Sequence, residues 1–233
     1  MNISTKMGGV LLTIAAILML TRMIPVMANL PPELEQFPPK TAEGIAILAT
    51  TNSTGWHLSH LMALLAFPLF FSGFLVLYKI LNAKTSKNLS LLFIIAIGFG
   101  FMLFSAAVII DGLIVPIAAK NYTVVQGNAK TTAAFLVTFA HKSALSFFAP
   151  GIFFIMVGVA VAGFLLVKSS VYAKWVGWIG LILGALAIIS YITGIAGTYW
   201  DNMRVGGSLV MFTFIWFLVL GVNVWRHPPV DVR

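Results

Sequence analysis

Along most of this chain the apolar residues follow neither a helical stripe nor a strand-like alternation. They run on, almost unbroken, for twenty residues or more at a time. Six such runs lie near 8–28, 56–81, 89–118, 132–167, 174–198 and 207–226, with polar connections between them. The hydrocarbon core of a bilayer needs about 20 apolar residues to cross it as a helix. In lipid a helix also satisfies every backbone donor and acceptor internally. The pattern predicts an all-α fold, an integral membrane bundle of six transmembrane helices in a single domain over 1–233. Most connections are short, which makes sequential helices antiparallel neighbours.

Some stretches depart from this rhythm. The connection 29–55 is the longest and carries two proline pairs, Pro31–Pro32 and Pro38–Pro39. These block regular structure. After them "TAEGIAILA" reads as a short surface helix. The run 132–167 exceeds what one straight span needs and contains Pro150–Gly151, so a kink is expected there, and another at Pro68 in the second run. Lys6 ahead of an apolar stretch, with "VMA" at 26–28, has the look of a secretory leader. The stretch 8–28 is nevertheless long enough to span and reads as a retained first helix. Gly180 and Gly184 have the small-xxx-small spacing that lets membrane helices approach closely, and internal packing is its first reading. No internal repeat is visible, so the inverted-repeat signature of many transporters is missing.

Composition strengthens the membrane reading. The chain is 60% hydrophobic and 9% charged, with mean hydropathy +1.02. Soluble domains run near a quarter charged. The net charge of +8 comes from Lys and Arg scattered over connections and helix ends, which does not suit nucleic acid. It reports topology instead. Lys6, Lys79, Lys84, Lys87, Lys168, Lys174, Arg226 and Arg233 fall on one side, and Arg22, Lys40, Lys120, Lys130, Lys142 and Arg204 on the other, the side that also carries Glu33, Glu35 and Glu43. The positive-inside rule then puts both termini in the cytoplasm of a cell membrane. There is no cysteine, so a metal would have to use His, carboxylate or carbonyl ligands.

The few ionisable residues in or beside the spans carry the candidate chemistry. Measured from the cytoplasmic lysines at about 1.5 Å per residue, His57, His60, Asp111, His141 and the loop "YWDNMR" all lie about 28–40 Å away. They share one level at the outer headgroup boundary, and nothing ionisable falls at mid-bilayer. His57 and His60 are i and i+3 on one helix. With His141 and Asp111 they form a candidate metal constellation, Asp111 serving as ligand or as orienter of an imidazole. Zinc bound by three protein ligands would keep a water position open for hydrolysis. Copper, or a haem b held by one helix-two histidine and His141, fits the same residue types. The plainer reading is solvated interfacial histidines and a structural ion pair in which His57, His60, His141, Lys142 or Arg204 answers Asp111. Trp56, Trp175, Trp178, Trp200 and Trp225 read as an interfacial belt, and the phenylalanines of "FPLFFSGF" and "FFAPGIFF" as lipid-facing or packing residues. Asn52 and Asn121 stand in N-x-[ST] sequons.

The stretches "GWHLSHLMALLAFPLFFSGFLVLY" and "DGLIVPIAA", then a His before a Pro–Gly helix, resemble a loose group of small prokaryotic membrane proteins classed as domains of unknown function. The resemblance implies that Trp56, His60, Asp111, Gly112 and His141 belong to a recurring pattern. It carries no function. The extra histidines that seven-helix membrane zinc hydrolases place on their last helix are missing from the last span. Three readings result. One is a His/Asp metal or haem site serving a lipid hydrolase or redox protein. Another is a non-catalytic accessory subunit of a larger membrane complex, or of a homo-oligomer. The third is a small-molecule transporter.

Overall fold

The computed structural model describes residues 5–34, 39, 41–169, 171–194 and 203–227, with backbone alone over 203–208. Its elements are α1 (Thr5–Thr21), the single turn α2 (Ile24–Met27), α3 (Ala42–Thr51), α4 (Ser53–Lys84), α5 (Lys87–Ile109), a π-helical turn (Ile110–Ile114), α6 (Val115–Val124), α7 (Asn128–Ser169), α8 (Lys174–Gly194) and α9 (Met203–Arg226). The described residues contain no strand. Among the described residues six segments are long and apolar enough to cross a membrane: Thr5–Met27, Ser53–Lys84, Lys87–Val124, Asn128–Ser169, Lys174–Thr193 and Leu209–Arg226. The chain is a multi-pass, all-helical membrane protein, and each expected run falls on one of these segments.

Local chemistry explains the boundaries. Thr41 is extended and its Oγ1 accepts the N–H of Gly44 at 3.0 Å, an N-cap that starts α3 where "TAEGIAILA" predicts a helix. Gly127 has φ of 56°, the left-handed conformation that lets the chain reverse between α6 and α7. Pro68 and Pro150 lie inside α4 and α7, and both helices run on as α-helix through them. A change of helix type comes just before Pro116, within the run 89–118 that the sequence reads as one unbroken helix.

The contacts divide into two compact units. Unit 1 comprises 1–20, 66–102 and 150–233. Aromatic rings fill its interior. Phe70 stacks on Phe101 at 5.4 Å, and Phe74 meets Phe217 edge-on at 5.0 Å. Trp216 is buried, and its indole N–H donates to the carbonyl of Val176 at 2.7 Å. Glycines bring the helices together. A Cβ at Gly184 would lie 2.6 Å from the backbone N of Ala160, and one at Gly163 would run into Leu181, so these two glycines join α7 to α8, while a Cβ at Gly180 would meet the Trp216 ring of α9. Gly9 and Gly221 do the same for α1 and α9. The exposed Trp175, Trp178 and Trp225 suit the expected belt.

Unit 2 comprises 21–65 and 103–149. Its core cluster is rich in small residues, Val26, Ala46, Ala49, Val115, Val137 and Ala140 among them, beside Ile45, Leu48 and Trp56, and Phe104 is buried edge-on to Phe148 at 4.6 Å. α3 lies against α6. Asn52 is buried, and its amide N–H donates to the carbonyl of Val26 at 2.8 Å. Its sequon therefore belongs to a side chain already used in packing, whereas Asn121 is exposed.

Candidate functional site

The site of unit 2 begins with a missing hydrogen-bond donor. In an α-helix the carbonyl of Asp111 would accept from the N–H of residue 115, and in a π-helix from residue 116. The N–H of Val115 goes to the carbonyl of Ile110, a π-type bond. Residue 116 is proline and has no N–H. The proline ring also crowds the carbonyl four residues back, that of Gly112. The helix widens into its π turn and the Asp111 carbonyl is left over. Trp56 answers it: its indole N–H donates to that carbonyl at 2.9 Å. Trp56 is 7% exposed, so the belt reading fails for it. A bonding indole beside a helix break has been drawn inward.

Gly112 then sets the approach of α4. A Cβ there would lie 2.8 Å from Cβ and Cγ of His60. Without one, His60 lies directly against the π turn, its ring 5.0 Å from that of Trp56.

Asp111 bridges two imidazoles. His60 Nε2 stands 3.1 Å from Oδ2, and His141 Nδ1 stands 2.9 Å from Oδ1. The three side chains are 13%, 23% and 24% exposed for His60, Asp111 and His141. Hydrogen counting fixes more. His60 Nδ1 is 2.6 Å from the carbonyl of Trp56, which can only accept, so Nδ1 carries a proton and donates. Its Nε2 faces a carboxyl oxygen, so that contact needs a proton too. His141 Nδ1 donates to Oδ1, and no hydrogen bond to its Nε2 is found among the described residues.

The expected residues thus separate. His60, Asp111 and His141 come together. His57 does not: it is exposed, and its Nδ1 donates to the carbonyl of Ser53 at 2.6 Å. Two residues i and i+3 on a helix are offset around its axis, and each imidazole turns back to its own i−4 carbonyl. Lys142 is exposed and makes no ion pair with Asp111. The loop "YWDNMR" at 199–204, Arg204 included, lies outside the residues whose side chains are described. Among the described residues no group of three or more His and acidic side chains is set to hold a metal ion. Zinc, copper or haem iron at this centre would have to replace hydrogen bonds to His60 or Asp111, or take His141 Nε2 as its ligand.

Arg22, a topological charge in the sequence, lies between α1 and α2 and is part-buried, with no ion pair to Asp111 inside 4.0 Å. A guanidinium inside an otherwise apolar run, "LTRMIP", was the available signal.

No family model, no curated protein and no solved structure matches the chain. The chemistry of the centre rests on its own geometry.

Proposed function

We propose that unit 2 carries a proton-transfer centre acting on a membrane amphiphile, with His141 as general base and Asp111 as the residue that orients it. The carrying observation is the 2.9 Å bond from His141 Nδ1 to Asp111, with Nε2 unpartnered among the described residues. Fixing the Nδ1 proton leaves the lone pair on Nε2, and a carboxylate behind the ring steadies the imidazolium that forms. His60 holds the other oxygen of Asp111, so the carboxylate cannot turn away. The reaction that suits this is hydrolysis. Nε2 takes a proton from water, the hydroxyl oxygen bonds to the acyl carbon, the ester C–O bond breaks, and His141 returns the proton to the leaving alkoxide. Exposed Ile117, Leu136 and Phe139 on α6 and α7 suit lipid acyl chains.

The test is turnover of p-nitrophenyl laurate by the full chain in nonionic detergent. His141→Gln should lose roughly 10²–10⁴ in rate. His57→Gln should match the wild type. A wild type no faster than buffer, or an unaffected His141→Gln, would sink the reading. Elemental analysis and a visible spectrum of the same preparation decide the metal reading. Near-stoichiometric zinc or copper, or a Soret band, lost with His141→Gln, would make His141 a ligand instead.

A second reading is supported by how fully Trp56, His60 and Asp111 are satisfied. Such a network also clamps helices, as an accessory subunit of a larger complex would require. It predicts equal losses of stability for His60→Ala and His141→Ala and no turnover in any variant.

A further inference from the structure

We propose that Trp56 is the positioning residue of the centre: it holds Asp111 in the orientation that keeps the proton of His141 on Nδ1. This rests on the reading of His141 as general base and names the residue that sets its lone pair. Trp56 grips the centre twice. Its indole N–H donates to the backbone carbonyl of Asp111 at 2.9 Å, and its own carbonyl lies 2.6 Å from Nδ1 of His60. His60 in turn stands 3.1 Å from Asp111 Oδ2. One residue of α4 therefore reaches Asp111 at its backbone and, through His60, at its carboxylate. The other carboxylate oxygen, Oδ1, is the one that meets His141 at 2.9 Å. The backbone grip matters because Asp111 belongs to the π turn, where the Val115 N–H bonds Ile110, one residue further back than in an α-helix. Without the indole the Asp111 carbonyl has no donor, and the Val115 N–H can serve it by closing the turn to α-helix. That closure changes the number of residues per turn, so Asp111 rotates about its helix axis while His141 stays on α7. The indole bond thus favours the π form, and the π form aims Oδ1 at His141. Trp56 is 7% exposed, so water has little room to replace that bond. Trp216 in unit 1 supplies the comparison: its indole also donates to a backbone carbonyl, at 2.7 Å, but the residue it holds is the apolar Val176.

The experiment uses the full chain in nonionic detergent, with its histidine nitrogens isotopically labelled, at a mildly alkaline pH where a free imidazole is neutral. The nitrogen resonances of His141, assigned by their loss in His141→Gln, report which ring nitrogen carries the proton. In the wild type it should be Nδ1. Trp56→Phe keeps a ring and removes the N–H. It should lower the ratio of the Nδ1–H to the Nε2–H tautomer about 3- to 10-fold, and cut kcat for p-nitrophenyl laurate to a like degree with KM little changed. Benzothienylalanine at position 56, which has the shape of tryptophan with sulfur in place of the N–H, should do the same and carries the test if Trp56→Phe does not fold. Trp216→Phe loses the comparable bond of unit 1 and should leave the ratio where it was. An unchanged ratio in both Trp56 variants, or an equal shift in Trp216→Phe, would overturn the proposal. A ratio that shifts in a protein without turnover keeps the positioning and removes the general base. Turnover that depends on His141 while the ratio stays fixed in the Trp56 variants keeps the general base and removes the positioning.

Discussion

Unit 1 and unit 2 are held together in different ways. In unit 1 large rings interlock and glycines let backbones touch, with Phe70, Phe74, Phe93 and Phe217 fully buried. In unit 2 the core is mostly alanine and valine, and the specific contacts are polar: Trp56 to the Asp111 carbonyl, His60 and His141 to its carboxylate, Asn52 to Val26. Lipid tails are as apolar as leucine, so apolar contact alone gives a membrane helix little reason to choose one neighbour. Unit 1 gains its choice from shape, unit 2 from hydrogen bonds that have no substitute in hydrocarbon. A substitution should therefore act through overpacking in unit 1 and through unpaired polar groups in unit 2.

The largest effect should come from Asp111→Ala. It leaves His60 Nε2 and His141 Nδ1 without their partner. Removing one member of a buried charged network costs about 3–5 kcal/mol, and partial exposure of Asp111 brings that to roughly 2–4. Reversible unfolding in mixed micelles measures it. A change under about 1 kcal/mol would mean that water already answers these groups, and the contrast between the units would disappear.

Gly112→Ala comes next and should cost about 1–3 kcal/mol, because its Cβ would stand 2.8 Å from His60. The comparator in unit 1 is Gly184→Ala, which meets the Ala160 backbone at 2.6 Å and should cost about the same. Only Gly112→Ala should also suppress turnover, since it moves His60 off Asp111. Equal loss of turnover in both would show that the site responds to general loosening rather than to its own contacts.

Pro116→Ala should matter less for stability, within about 1 kcal/mol in either direction. It restores an N–H that can donate to the Gly112 carbonyl, so the turn can close to α-helix, with the Val115 N–H reaching the Asp111 carbonyl at the expense of the Trp56 bond. Turnover should fall even where stability does not. The indole environment reports the change, through a shift in fluorescence emission absent from a Trp56→Phe, Pro116→Ala double variant.

How far the sequence anticipated this differs between the units for the same reason. The six spans could be read because bilayer thickness fixes the length of an apolar run, and α3 because Thr41 supplies a cap. The meeting of His60, Asp111 and His141 could be read only as a shared depth. Depth places residues at one level and says nothing of rotation about the helix axis, so by depth alone His57 is equivalent to His60. Rotation is set by Gly112 and by the π turn that Pro116 forces. "DGLIVP" holds both signals, a glycine that admits a close neighbour and a proline whose ring crowds the Gly112 carbonyl and leaves the preceding turn without an α-type donor. Arg22 was harder to place, because a lone arginine at the end of an apolar run suits topology as well as chemistry.

The smallest effect should come from the one described polar atom in unit 1 that is buried without a partner. The hydroxyl of Tyr172, in the connection between α7 and α8, has no hydrogen-bond partner among the described residues, and burial pushes its ionisation above the usual phenol range. Tyr172→Phe removes an unsatisfied group without opening a cavity, so stability should be unchanged or rise by up to about 1 kcal/mol near neutral pH. The two proteins should diverge in alkali. The unfolded phenol loses its proton near pH 10, while the folded one keeps it. Above that pH the unfolded state binds fewer protons, so the tyrosine protein loses stability as pH rises and the phenylalanine protein lacks that contribution. Unfolding midpoints taken from pH 8 to 11 should run parallel until about pH 10 and then separate. Parallel curves throughout would mean that water reaches the hydroxyl and that its burial costs unit 1 nothing.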